Sequence, residues 1–133
     1  MTQFGDLANQ AVAYQLLIPR AITSTTTTTY VDMGLAGGGQ FGTTMILNKG
    51  TVTGSTGTID IKLTECATTN GTYTDITGAT FAQQTTSATD GDASVLTTVF
   101  IRNQRYVKAV ITTGGTSPNF IVGVGIMEQK RTL

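Results

Sequence analysis

The residues of this chain that could move a proton or hold a metal are few, and they form no familiar constellation. Histidine is absent, which removes the commonest general base, the usual triad partner and the commonest metal ligand. Cys66 is the single cysteine. Without histidine it can build neither an ordinary zinc site nor a Cys-His nucleophile pair, and at the end of a strand it reads as a small apolar residue. Carboxylates can act in pairs, as in glycoside hydrolysis, and the candidates are Asp32, Asp60, Glu65, Asp75, Asp90, Asp92 and Glu128. Asp60 and Glu65 are separated by an odd number of positions, so a regular strand turns them to opposite faces. Asp75 follows a turn, where polar residues are expected. Asp90 and Asp92 offer oxygen to calcium, but their surroundings lack the further acids of a known loop and read as solvated. Gly37-Gly38-Gly39 matches neither phosphate-binding pattern. The sequence therefore predicts no enzyme, and no catalytic, cofactor-binding or metal-binding residue.

The elements that carry these residues are strands. The chain has 133 residues, with 29 Thr and 16 Gly against 8 acidic and 8 basic residues. Threonine favours the pleated backbone and glycine supplies turns. The clearest strand is Thr58 to Cys66, where Ile59, Ile61 and Leu63 alternate with Asp60, Lys62 and Thr64. Asn70-Gly71 then predicts a hairpin, because both residues tolerate positive φ, with a return strand from Tyr73 to Ile76. Further strands are expected from Thr23 through Met33, from Phe41 to Asn48, from Val95 to Ile101, from Tyr106 to Thr112 and from Phe120 to Met127. The last of these are apolar on both sides; in one, Val107, Ala109 and Ile111 oppose Tyr106 and Val110. Such strands lie between layers or in a subunit interface. The expected fold is all-β: an antiparallel β-sandwich or jelly roll of about eight strands with an N-terminal arm.

Residues 1 to 20 form that arm and residues 21 to 133 the sandwich. Phe4, Leu7, Ala8, Ala11 and Val12 recur at helical spacing, whereas Tyr14 to Ile18 suits a strand that Pro19 confines to an edge. The segment reads either as an arm docked on its own domain or a neighbour, or as a first strand with a frayed end. The candidate interface residues are Phe4, Leu7, Val12, Tyr14, Leu16, Leu17, Tyr106 and Val110.

The formal net charge is zero and no basic stripe is present, so neither nucleic acid nor an anionic membrane is an expected partner. No apolar run approaches the roughly 20 residues of a membrane span, and the opening residues lack the basic start of a secretory signal. Synthesis and folding in a reducing cytoplasm are expected. Sandwich lectins commonly display aromatic rings; tryptophan is absent, and Tyr14, Tyr30, Tyr73 and Tyr106 all fall in predicted strands where packing accounts for them.

The succession Tyr30-Val31-Asp32-Met33-Gly34, an amphipathic strand ending near Glu65, Asn70-Gly71-Thr72-Tyr73-Thr74-Asp75, then Gln104-Arg105-Tyr106-Val107-Lys108 and a Gly/Val-rich final strand resembles a group of small structural proteins encoded among tailed-bacteriophage head genes. The resemblance spans roughly residues 30 to 127 and leaves the arm outside it. It implies a capsid decoration (cement) protein, commonly a homotrimer, bound to the major capsid protein on the virion exterior. The group has no catalytic residues to carry over. The alternatives are a tail- or fibre-associated β module and a carbohydrate-binding sandwich.

Overall fold

Alternating side chains, β-branched residues and closely spaced turns drive most of this chain into extended backbone. The computed structural model describes residues 11–34, 43–50, 56–85 and 94–129. Its strands are β1 (Ala11–Ile22), β2 (Thr26–Thr27), β3 (Val31–Asp32), β4 (Thr43–Lys49), β5 (Thr56–Cys66), β6 (Thr74–Thr80), β7 (Gln84–Thr85), β8 (Ser94–Phe100), β9 (Tyr106–Thr116) and β10 (Phe120–Gln129). No helix occurs among the described residues. The protein is an all-β sandwich of two antiparallel sheets.

The four-stranded sheet has the order β1-β10-β4-β8; the six-stranded sheet follows β2-β9-β5-β6, with β3 also on β9 and β7 on β5. Partners close inward from the ends of the chain: β1 with β10, β2 and β3 with β9, β4 with β8, β5 with β6 and β7. The chain is thus one long hairpin, rolled so that successive pairs fall in alternate sheets. This is the connectivity of a jelly roll.

The core lies between the sheets. Met45 and Leu47 of β4, Ile59, Ile61 and Leu63 of β5, Val107, Ala109 and Ile111 of β9, and Phe120, Val122, Val124 and Ile126 of β10 point into it. Each of these side chains larger than alanine contributes about 1.5–3 kcal/mol relative to exposure.

Three local expectations change. β1 runs through the boundary expected at residue 20, so residues 11–20 belong to the four-stranded sheet. The register with β10 shifts between Gln15 and Leu17 and again before Arg20. Such a bulge lets neighbours face the same side, and Leu16 and Leu17 both enter the core. Ala11 and Val12, assigned to helical spacing, are extended. Residues 1–10, including Phe4 and Leu7, lie outside the described residues.

The Thr23–Met33 strand is broken into β2 and β3 because threonine hydroxyls replace part of its backbone ladder. Thr25 Oγ1 accepts from Thr113 N at 3.1 Å and Thr28 Oγ1 from Ala109 N at 3.0 Å, a competition typical of short hydroxyl side chains.

Asn70-Gly71 lies in a longer turn between Cys66 and Thr74, and neither residue has positive φ. Glycine is needed there for close approach, since a Cβ on Gly71 would stand 2.5 Å from Cys66 Sγ.

Candidate interaction surface

Every described carboxylate is held by a neighbour. Asp60, turned outward, accepts from Gln83 Nε2 at 2.8 Å, and Asp75 meets Lys62 Nζ at 2.8 Å. Asp32 takes a two-pronged contact from Arg105, Nε to Oδ1 and Nη2 to Oδ2, both 2.8 Å. Glu65, buried on the opposite face of β5 from Asp60, accepts from the backbone N–H groups of Asn103 and Gln104 at 2.7 and 3.0 Å. Glu128 receives Arg102 and the Thr43 hydroxyl. Asp60 sits within β5, and the other carboxylates organise structure at the strand ends. Asp90 and Asp92 lie outside the described residues. Cys66 is free and buried, as a small apolar residue at a strand end would be.

The connection between β8 and β9 is where these contacts concentrate. Arg102 spends its guanidinium donors on Glu128 and on the carbonyl oxygens of Met33, Gly34 and Gln104. With Glu65 capping two amides from the other side, the loop is fixed internally while Ile101 remains about half exposed.

The outer faces of the two sheets differ in chemistry. On the six-stranded sheet, outward positions include Asp60, Lys62 and Lys108, together with a tyrosine group. The Tyr30 and Tyr106 rings meet edge to face, with centroids 5.3 Å apart at 83°, Arg105 lies over Tyr106, and Lys108 Nζ stands 4.1 Å from the Tyr73 centroid. On β10, β4 and β8 of the four-stranded sheet, the outward positions are Ile121, Gly123, Gly125 and Met127, Thr44, Ile46 and Asn48, and Val95, Thr97 and Val99. None of these is charged; an exposed charge, Arg20, lies on the edge strand β1. Of the seven exposed large apolar side chains among the described residues, six belong to this sheet or its margin: Ile18, Val95, Val99, Ile101, Ile121 and Met127. The concentration matters because scattered apolar residues are ordinary, whereas a continuous patch marks a contact surface.

Glycines shape this face. Pro19 lies against β10, where a Cβ on Gly123 would come within 2.7 Å of its ring. One shallow groove runs past Pro19, Asn48, Val95 and Ile121, and another passes over Gly125 between Ala13, Gln15, Ile46 and Met127.

The residues expected to form an interface are divided among different surroundings. Leu16 and Leu17 are core residues, so that part of the expectation is corrected. Val12 and Tyr14 are half-buried on the inner side of β1, where Tyr14 packs against the core. Burial, and then the Glu128 charge, raise the Tyr14 hydroxyl above its ordinary pKa. Tyr106 and Val110 are half-buried on the outer side of the six-stranded sheet. The apolar face instead draws on Ile46, Val95, Val99, Ile121 and Met127. Its sequence signal is an apolar residue at alternate positions of strands whose other positions already fill the core. No protein-family model and no curated protein matches this chain.

Proposed function

We propose that this protein is a non-enzymatic structural component of a bacteriophage head, which binds the major capsid protein on the shell exterior and stabilises the assembled form. The uncharged apolar outer face of β10, β4 and β8 carries the reading. Desolvating it costs little, because no ion must be stripped of water, and depletion of charge marks the centre of protein interfaces. The jelly roll is a fold of viral capsid and lectin domains, which supports the class of reading without choosing within it. The motif order described above favours the capsid. A ligand that binds only the assembled shell stabilises it by mass action, and many copies acting together make modest contacts sufficient.

The test is cosedimentation of the purified protein with undecorated capsids of the phage that encodes it. Saturable binding is expected, weakened at least about tenfold by Ile46→Lys, which places a charge in the middle of the face. Failure to bind those capsids overturns the proposal, and labelled protein found at the tail would favour a tail or fibre module. The Tyr30–Tyr73–Tyr106 group gives the carbohydrate alternative a specific basis, since aromatic rings with polar neighbours can stack on sugars. A glycan array whose hits disappear in Tyr30→Ala would favour that alternative.

A further inference from the structure

We propose that β8 is an association edge, through which two copies of this chain pair antiparallel about a two-fold axis at Thr97 and merge their four-stranded sheets into one of eight strands. A free sheet edge invites another strand, and proteins block it with short strands, bulges, prolines or charges. Three of the four edges here are blocked in these ways. β1 carries Pro19, Arg20 and two register shifts. The β2–β3 edge consists of two-residue pieces. The β6–β7 edge shifts register between Lys62 and Thr64, turns at Gly78 with φ 82°, and ends in a two-residue strand.

β8 carries none of these devices in its own sequence, and among the described residues no strand pairs with its outer side, while β6 of the facing sheet lies close by. The seven residues of β8 hold an unbroken register with β4, from Lys49↔Ser94 to Thr43↔Phe100. It contains no charge, proline or glycine, and Val95 and Val99 are 64% and 66% exposed. The strand is also complementary to itself. Full-length antiparallel pairing sets Val95 against Val99 of the second copy, Thr97 against Thr97, and Leu96 against Thr98. Branched aliphatic and threonine pairs directly opposite one another are favourable.

Size supplies a second argument, which rests on the shell-binding reading above. Four strands about 4.8 Å apart and about seven residues long cover roughly 450 Å², against about 800 Å² per partner in a standard stable interface. Two sheets joined at β8 present one continuous face of roughly 900 Å². The only edges left at the ends of that joined sheet are the blocked β1 strands, so the assembly closes at two copies. The inference puts a dimer in place of the trimer implied by the resemblance.

Sedimentation equilibrium of the full-length protein over a concentration series should show a monomer–dimer equilibrium. Thr97 is exposed, so Thr97→Lys keeps the fold while setting two like charges opposite each other; the association constant should fall by roughly fivefold or more. Thr97→Cys should cross-link under mild oxidation, because directly opposed Cα atoms lie about 4.5–5.5 Å apart, within disulfide reach. Val99→Cys, facing Val95, should not. A protein monomeric at every concentration overturns the pairing. So does a dimer or trimer that Thr97→Lys leaves unchanged and Thr97→Cys does not cross-link. These measurements use no capsid, so a dimer that fails to bind shells removes only the functional proposal, and a shell-binding protein that never pairs removes only this one.

Discussion

Arg102 and Glu128 form a two-pronged ion pair, Nε to Oε2 at 2.6 Å and Nη2 to Oε1 at 2.8 Å, with the arginine side chain 5% exposed and the glutamate 17%. The pair ties the loop after β8 to the end of β10. The remaining guanidinium contacts reach the Met33, Gly34 and Gln104 carbonyls, so one side chain joins three segments that are distant in sequence.

Removing that cation strands Glu128 and three carbonyl groups. Arg102→Ala should lower unfolding free energy by about 3–5 kcal/mol, the usual cost of breaking a buried pair on one side. Arg102→Lys should recover little of it, since an ammonium cannot reproduce the planar fork. Urea denaturation of the three proteins measures both effects.

Asp32 and Arg105 make the exposed counterpart. Hydrogen bonds from Arg105, and then from the Gly34 amide at 2.9 Å, lower the Asp32 carboxyl from its ordinary 3.8 to about 2. A carboxyl lowered by folding contributes stability above its unfolded value, and that contribution fades as pH falls from about 4 toward 2. The melting temperature of the native protein should therefore drop more steeply across that window than that of Asp32→Asn. Equal slopes would show that the pair is not coupled to folding. The difference should be small, because both groups are solvated.

Thr64 is buried in β5, and its hydroxyl has no hydrogen-bond partner among the described residues. Thr64→Val keeps the shape and removes the unsatisfied group. A gain of about 1 kcal/mol is expected, read as a higher denaturation midpoint with an unchanged m-value.

Gly78 and Gly115 separate two costs that glycine avoids. Both have positive φ, 82° and 77°. A Cβ on Gly78 would meet nothing within 4 Å, whereas one on Gly115 would fall directly on the Thr56 carbonyl oxygen. Gly78→Ala should cost about 1–2 kcal/mol, the left-handed penalty alone. Gly115→Ala should cost distinctly more, because β5 and β9 must separate to admit the methyl group. Chemical denaturation of the two variants side by side gives the difference.

The strands were legible wherever side chains alternated cleanly. β5 begins two residues before the expected start, and β8, β9 and β10 follow their expected segments closely. Pattern reading failed where backbone geometry suspends the alternation. The bulges of β1 turn Leu16 and Leu17 inward together, a result that no period describes; of the two readings of this segment, residues 11–22 follow the first strand, at the sheet edge that Pro19 predicts. The apolar face is half visible in the sequence: strands apolar on both sides stand out, but Val110 and Val99 look alike there. Only the sheet order shows that Val110 neighbours charged residues while Val99 stands on the outermost described strand of its sheet. Arg102 gave no signal, since a lone arginine in a loop looks the same whether solvated or enclosed.

The rolled hairpin has a consequence in time. β1 finds its partner only in β10, and Gln15 Nε2 donates to the Val124 carbonyl 109 positions further along. At translation rates of roughly 5–20 residues per second, β1 waits about 5–20 s after synthesis before the strand it pairs with exists. Throughout that interval Leu16, Leu17 and Ile22 have no sheet to enter. A pause in translation ahead of β10 prolongs their exposure, so the yield of folded protein is governed by how fast β10 is delivered as well as by how stably it sits.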